Sequence, residues 1–437
     1  MGSEWREGRL GDFIELHRGY DLPQQNRRPG PVPLVSSSGI SDHLATAMID
    51  GPGVVTGRYG TIGQVFYLDE PFWPLNTTLY VSNFKSNDPR FASYLLRTID
   101  FLAFSDKAAV PGVNRNHVHE AIIRWPASLA EQKRIAGILG ALDDKIELNR
   151  RMSQTLESMA RALFKSWFID FDPVRAKAAG REPDLPNHLS DLFPNSFTDS
   201  DIGLVPDGWN VGTLADVLSE METGGRPIGG VARYDHGVAS VGAESIVGLG
   251  IFDYAKTKYV PGEFFDGMTK GRVKNGDVLL YKDGGRPGLF EPHSTLVGDG
   301  FPFERFAINE HVYRLRAIQD YGQSLLFFWL TSDFAEAEMR VRGTGVAIPG
   351  LNSVELKSLT TLIPTAAIAK AFSALVDPLV ASILANGREC RELSQLRDLM
   401  LPELLAEEVG RHAYSTASVR TSSVARQLPS LEGGRQQ

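Results

Sequence analysis

The sequence predicts an α+β protein: two β-rich globular domains separated by two long helices that form an antiparallel coiled coil, as a pseudo-twofold internal repeat. Three observations carry this. Four sequence matches recur in the same order in the two halves, each half ends in a long stretch with a seven-residue apolar period, and the regions between are rich in β-formers and glycine turns.

Taken in chain order, the first match is Trp5, four residues, then Leu10-Gly11-Asp12; near the middle stands Trp209, four residues, then Leu214-Ala215-Asp216. The second sets GPGVVTGRYGTIGQVFYL (51–68) against KNGDVLLYKDGGRPGLF (274–290). In the third, Asn76 in FWPLNTTLYV is echoed by Asn309 in FAINEHVYRL. In the fourth, AVPGVNRNHVHEAIIRWP (109–126) matches AIPGLNSVELKSLTTLIP (347–364), with Pro111 to Pro126 and Pro349 to Pro364 the same 15 residues apart. The reading divides the chain into domains 1–127 and 206–364, long helices 128–171 and 365–407, a Pro- and Asp-rich linker 172–205, and a disordered tail 408–437.

In the first long stretch Ile135, Leu142, Asn149, Leu156 and Leu163 recur every seven residues, flanked by Ile138, Met152 and Met159. The second gives Phe372, Leu379, Asn386, Leu393 and Met400, flanked by Leu375 and Leu396. These are the spacings of a coiled-coil seam. About 40 residues of helix extend about 60 Å at ~1.5 Å per residue, which is too long for the interior of one small domain. Antiparallel pairing would run 135–163 against 400–372 and place Asn149 opposite Asn386, where a polar pair fixes register at some cost in stability.

Composition narrows the function. One cysteine, Cys390, excludes an internal disulfide and any cysteine metal cluster. The N-terminus lacks a signal-peptide pattern, and no uninterrupted apolar run approaches the ~20 residues that cross a bilayer, so a cytoplasmic protein without a membrane is expected. The formal charge of -8 disfavours a protein that coats nucleic acid unaided. Catalytic motifs fail in turn. GRYGTIG (57–63) has glycines at GxxGxxG spacing, but QVFYL after it reads as a strand, whereas a phosphate loop must open a helix. DFDPV (170–174) lacks the second proline and the aromatic of a methyltransferase loop. Glu355 and Lys357 have no acidic partner for a nuclease, and His117 and His119 no third metal ligand. No catalytic residue, resident cofactor or metal site is expected.

The residues then carry a resemblance. EQKRIAGILGALDDKIELNRRMSQTLESMARALFKSWFIDFDPV, DLFPNSFTDSDIGLVPDGW, WNVGTLADV and AVPGVNRNHV make the chain similar to the specificity subunit of a type I DNA restriction–modification system, over all but the tail. The second long stretch departs from the pattern, with Ala367-Ile-Ala-Lys-Ala where the first has EQKRI. The resemblance implies two target-recognition domains, each reading half of a bipartite asymmetric duplex site, and helices that set the spacing and dock two methyltransferase subunits. Motor-nuclease subunits are further partners. It implies S-adenosylmethionine on the methyltransferases, ATP and magnesium on the motor-nuclease, and no catalysis by this chain. Two other readings stand beside it: a structural coiled-coil adaptor without DNA contact, and a nucleotide-binding enzyme using GRYGTIG.

For base or phosphate contact the candidates are residues whose side chains address duplex edges, arginine for guanine and asparagine for adenine. In the first domain these are Ser36, Ser37, Ser38, Arg58, Tyr59, Asn76, Thr77, Asn114 and Arg115. In the second they are Arg226, Lys270, Arg272, Lys282, Arg286, Asn309 and Arg342.

Overall fold

The computed structural model describes residues 4–106, 111–252, 254–286, 288–299, 301–343 and 349–406; the tail lies outside them. The chain forms two compact units, one of residues up to Ile146 together with the chain from Glu392, the other of Glu147–Arg391.

In the first unit a four-stranded antiparallel sheet has the order Glu15–Arg18, Thr78–Asn83, Gly53–Gly57, Val65–Leu68. Gly53–Gly57 is buried along its whole length, as a central strand covered on both faces must be. Helix Pro89–Leu96 covers the sheet and starts at Asp88, whose carboxylate accepts from Phe91 N–H, with proline at the first helical position. The unit closes on itself. Trp5–Arg9 pairs with Ile122–Pro126, with Trp5 opposite Pro126, so the first and last sequence anchors are partners in one ladder.

The first long helix, Leu129–Phe168, leaves directly from that closure. Gln132, almost fully buried, donates to Asn87 Oδ1 (2.8 Å) and Pro126 O (2.9 Å) and accepts from Asp88 N–H (2.8 Å). A single amide thus joins the helix to the closing strand and to the loop before Pro89–Leu96. Higher up, Asp143 accepts from Tyr94 Oη (2.7 Å) and pairs with Arg97 (3.2 Å) and with Arg397 of the second long helix (2.7 Å). Burial pushes the Asp143 carboxyl up, but bonds from Arg397 and Tyr94 outweigh it and hold it below the usual carboxylate range.

The second unit has a four-stranded antiparallel sheet in the order Leu218–Thr223, Val312–Ala317, Val278–Tyr281, Ser294–Leu296. It closes through Asn210–Thr213 paired with Thr360–Ile363, just before the second long helix, Ala366–Ala406. Lys370, six residues after Pro364 as Gln132 is six after Pro126, makes an exposed ion pair with Asp320 (2.9 Å) instead of a buried staple. Within this unit Asn149 Nδ2 donates to Glu389 Oε2 (2.7 Å), Asn386 Nδ2 donates to Ser153 Oγ (3.2 Å), and the Phe164 and Phe372 rings lie 6.1 Å apart. Partners fall in number on one helix as they rise on the other, so the helices run in opposite directions here.

Three expectations need correction, and a further observation bears on a fourth, the absence of an apolar run long enough to cross a bilayer. Asn149, fully buried, donates to Glu389, while Asn386 donates to Ser153; the partners are displaced by about one helical turn from the layer drawn from heptad spacing. The flanking seam lies on the other side of the repeat: Met152, Met159, Leu375 and Leu396 are exposed, whereas Leu139, Ile146, Ala160 and Trp167 are buried. A seven-residue repeat is compatible with a neighbour at +3 or +4, and only packing chooses. The stretch 172–205 is folded and is no mere linker. It contains helix Asp172–Ala178 and a hairpin, Phe197–Ser200 with Gly203–Pro206, and it buries Val174, Phe193 and Val205 against Trp167, Phe168 and Trp209. Finally, Ala366–Leu405 is long and apolar enough to cross a membrane by length and composition. Its Ile368, Phe372, Val376, Val380 and Ile383 face the core of the second unit, as in a core helix.

These contacts set the expected stability effects. Gln132→Ala leaves three partners unsatisfied and should cost about 2–4 kcal/mol, whereas Lys370→Ala should cost below about 1 kcal/mol; denaturant unfolding compares them. His119 Nε2 accepts from Leu16 N–H (2.9 Å), and burial, with Arg115 nearby, lowers its pKa from 6.5. The unfolded chain then binds the extra proton, so this contribution is complete above about pH 6.5 and is lost as pH falls toward the lowered value. The unfolding midpoint should drop between about pH 7.5 and about pH 5.5, and His119→Gln should flatten that slope.

Candidate nucleic-acid interface

The turn that attracts attention in sequence, GRYGTIG, caps strand Gly53–Gly57 and is followed by strand Val65–Leu68, with no helix for a phosphate. Its backbone is clamped from two sides. Arg58 and Tyr59 N–H donate to Thr77 O (2.9 and 3.1 Å), and Val113 N–H donates to Arg58 O (3.1 Å). Tyr59 and Gly112 form a β-bridge, and a methyl group on Gly112 would collide with the Tyr59 ring. Gly60 and Gly63 have positive φ (76° and 80°), which only glycine adopts at low cost. Arg58 lies 4.5 Å above the Tyr59 ring and donates through Nε to Val113 O (3.3 Å).

Around this clamp the first unit collects several sequence candidates. Ser37 lies beside Gly60, where an added Cβ would be 3.2 Å from its Oγ. Ser36 and Ser38 hold their own turn, Ser36 Oγ donating to Gly39 O (3.0 Å) and lying 3.1 Å from Ser38 Oγ. Asn76, next to Thr77, donates to Asp21 Oδ1. Asn114 serves the local backbone. Its side chain accepts from Asn116 N–H (3.0 Å) as the cap of helix Arg115–His119, which places exposed Arg115 on the first turn.

The second unit builds a matching clamp at the end of the equivalent central strand. Lys282 N–H donates to His311 O (2.9 Å), Leu351 N–H donates to Lys282 O (2.9 Å), and Asp283 bridges Gly350. Arg58 and Lys282 therefore hold the same place, as do Tyr59 and Asp283. Thr77 corresponds to His311 by the same bonds, so Asn76 falls at Glu310, one residue from the Asn309 that the sequence suggests. Asn309 is engaged locally, its Oδ1 accepting from His311 N–H (2.9 Å). Lys282 Nζ reaches Glu310 O (3.4 Å), and His311 Nδ1 lies 2.7 Å from Asp283 Oδ1.

Other candidates in this unit separate clearly. Exposed Lys270 lines a shallow cleft of about 490 Å³ with Gly224, Gly225 and Phe264. Arg226 is exposed and pairs through Nε with Glu310 Oε1 (2.8 Å). Arg272 folds over Phe265 and donates to Asp266 O, facing inward. Arg342 is a staple between helices, donating to Glu355 O (3.1 Å), Ser358 and Glu338. Arg286 lies in a two-residue strand, its side chain outside the described residues. Glu355, which has no nuclease partner in sequence, completes a capping box with Asn352 (2.9 Å).

Sequence reasoning sought cations and amides and so missed the acids. Arg314, 2 % exposed, is held by Glu220 (2.6 Å), Glu222 (2.8 Å) and Asp277 (3.2 Å). Glu222 also accepts from Gly271 N–H (2.9 Å) and Asp277 from Lys274 N–H (2.7 Å), which pins the loop that carries Lys270. The hydrogen bonds from Arg314 hold Glu220 below the usual range; for Glu222, burial acts upward but bonds from Gly271 and Arg314 prevail. Alternating charges at Glu220, Glu222, Arg314 and Arg316 on two strands were the available signal.

The inward bonding makes a direct prediction. Arg342→Ala should cost about 1.5–3 kcal/mol, since charge-assisted bonds are lost, whereas Lys270→Ala should leave thermal unfolding nearly unchanged.

Comparisons with known proteins agree on one family. A family model described as the type I restriction modification DNA specificity domain matches residues 2–158. The chain is 26% identical over 318 residues to the type I restriction enzyme MjaIX specificity subunit of Methanocaldococcus jannaschii, covering 70% of this chain and 64% of that protein. It thus spans less than two thirds of that relative. It is 26% identical over 365 residues to the HindI specificity subunit of Haemophilus influenzae, covering 70% and 73%. In fold it is similar to the crystal structure of the type I restriction-modification S subunit from M. genitalium, with TM-score 0.54, 14% identity and coverage of 92% and 96%. These matches make the chain similar to the specificity subunits of type I restriction–modification systems, with the family model matching over residues 2–158.

Proposed function

We propose that this chain is the non-catalytic DNA-recognition subunit of a type I restriction–modification complex, and that each unit reads one half of a bipartite, asymmetric duplex site. The observation that carries this is the matching clamp: the same backbone bonds hold Arg58 and Lys282 at the end of a central strand in two sheets with the same strand connectivity. One scaffold presenting different side chains is what two unlike half-sites require.

On this reading the halves form a pseudo-twofold repeat and the long helices pair as an antiparallel coiled coil that sets the spacing between half-sites. Recognition faces on a duplex recur about every 34 Å, one helical turn. Two methyltransferase subunits dock on the helices, bring S-adenosylmethionine and methylate an adenine in each half-site; motor-nuclease subunits bring ATP and magnesium. Partner subunits supply much of the phosphate neutralisation that a chain of charge -8 lacks. The setting is the cytoplasm.

Reconstitution with the methyltransferase subunits followed by adenine-methylation mapping across a genome tests the reading. A two-part motif is expected, and exchange of residues 5–125 for another such domain should change one half only. Absence of any motif would leave the adaptor without DNA contact, and tight nucleotide binding by the chain alone would revive the enzyme reading.

A further inference from the structure

The two units contain a second matched feature, with its chemistry reversed. In the first, strand Glu15–Arg18 runs into Gly19, whose N–H donates to Thr78 O (3.0 Å) and which has no room for a Cβ against Leu75 O. Two residues on, Asp21 accepts from Asn76 Nδ2 and pairs with Arg18 (3.1 Å). In the second, strand Leu218–Thr223 runs into Gly224, whose N–H donates to Asn309 O (3.2 Å) and which has no room against Ile308 O. Two residues on, Arg226 meets Glu310. Asn76 and Glu310 each stand two residues before the strand residue opposite the clamped loop, Thr78 opposite Gly57 and Val312 opposite Tyr281. The glycine bonds reach different residues of the neighbouring strand, but Arg18 opposite Leu79 and Thr223 opposite Tyr313 align the two units, so positions 21 and 76 match 226 and 310: carboxylate with amide in one unit, guanidinium with carboxylate in the other.

We propose that this pair is a base-reading position in which a carboxylate braces the reader: Glu310 orients Arg226 toward guanine, and Asp21 orients Asn76 toward adenine. The inference rests on the DNA-reading function above. The ion pair of Glu310 with Arg226 is made at Nε, 2.8 Å from Oε1. That leaves the end-on fork that meets guanine O6 and N7. Asn76 keeps Oδ1 and its second N–H, the pair that adenine N6 and N7 require. An acid beside a phosphate-binding arginine would oppose binding, whereas beside a base edge it fixes direction. Arg226 is the reader and Glu310 its positioning residue, held in turn near His311 (3.6 Å).

The test uses the complete chain with its methyltransferase subunits in four forms: wild type, Arg226→Ala, Glu310→Gln and the double variant. Methylation is mapped over a randomised duplex library. Arg226→Ala and Glu310→Gln should relax the same single base position, on the order of tenfold, in one half-motif only. The double variant should be no worse than Arg226→Ala, and Asn76→Ala should relax one position in the other half. Arg226 is exposed and Glu310 half-buried, so thermal unfolding of each variant serves as the folding control, with Glu310→Gln keeping the side-chain shape and Arg226→Lys keeping charge without the fork. An unchanged motif in Glu310→Gln, equal weakening at all bases, or additive losses in the double variant would overturn the proposal. A wild-type complex without a two-part motif would instead overturn the DNA-reading function itself.

Discussion

Two backbones meet at a glycine in each unit, and the candidate face depends on that approach. Gly112 lies against the Tyr59 ring, and Gly350 packs on the backbone of Lys282 and Asp283. The bonds from Val113 to Arg58 and from Leu351 to Lys282 are available only at this distance. The clamping segment then continues without a break: the asparagine cap at 114 or 352, a short helix, the closing strand, and the long helix. A displacement of the loop is thereby transmitted to the helix start through a few bonded residues. This is the rigid support that a reading group needs from its surroundings.

The two units meet the same mechanical demand with different chemistry. In the first, an uncharged amide, Gln132, ties the long helix to the closing strand. In the second, the helix is seated by aromatic packing, with Phe372 against Phe164, Phe168 and Phe328, while Lys370 stays at the surface. The second sheet also contains Arg314 among three acids, where the loss of hydration is offset because every carboxylate finds a donor. Glu222 and Asp277 use remaining lone pairs on backbone N–H groups of the neighbouring loop, so the ion cluster becomes a loop anchor. Divergence between the units therefore lies in how contacts are made, while the places that need contacts stay the same.

The shared strand order and matching contacts of the two units were legible because the sequence anchors are geometric necessities. Trp5 and Pro126 are partners in the closing ladder, and the Pro-Gly-x-Asn segment combines a close approach with a helix cap. Such positions tolerate few residue types. The helices were legible by period, but their exact seam was not, because one apolar row every seven residues leaves two candidate neighbours. The folded character of 172–205 was hidden by composition: many prolines and aspartates suggest a linker, and the few residues that decide otherwise, Phe193 and Val205, are buried only because Trp167 and Trp209 lie beside them. At the candidate face, a search for cations found Arg58, Lys282 and Arg226 but also Arg342, whose donors serve the fold. Charge alone does not say whether a guanidinium faces inward; the carbonyls within its reach do.

That distinction bears on the net charge. A protein that bound a duplex mainly through its phosphates would gain from every surface cation and lose from every surface acid. Here acids stand directly beside the exposed arginine and the half-buried amide, Glu310 beside Arg226 and Asp21 beside Asn76. Each carboxylate weakens attraction to the backbone of any duplex, matched or not, and sharpens the direction of one donor group. Specificity is a difference between affinities, and it rises when the sequence-independent part falls faster than the base-specific part. On the proposed function, an acidic chain whose partners supply the positive charge places that trade at the reading position, where it discriminates, and leaves affinity to surfaces that do not read sequence.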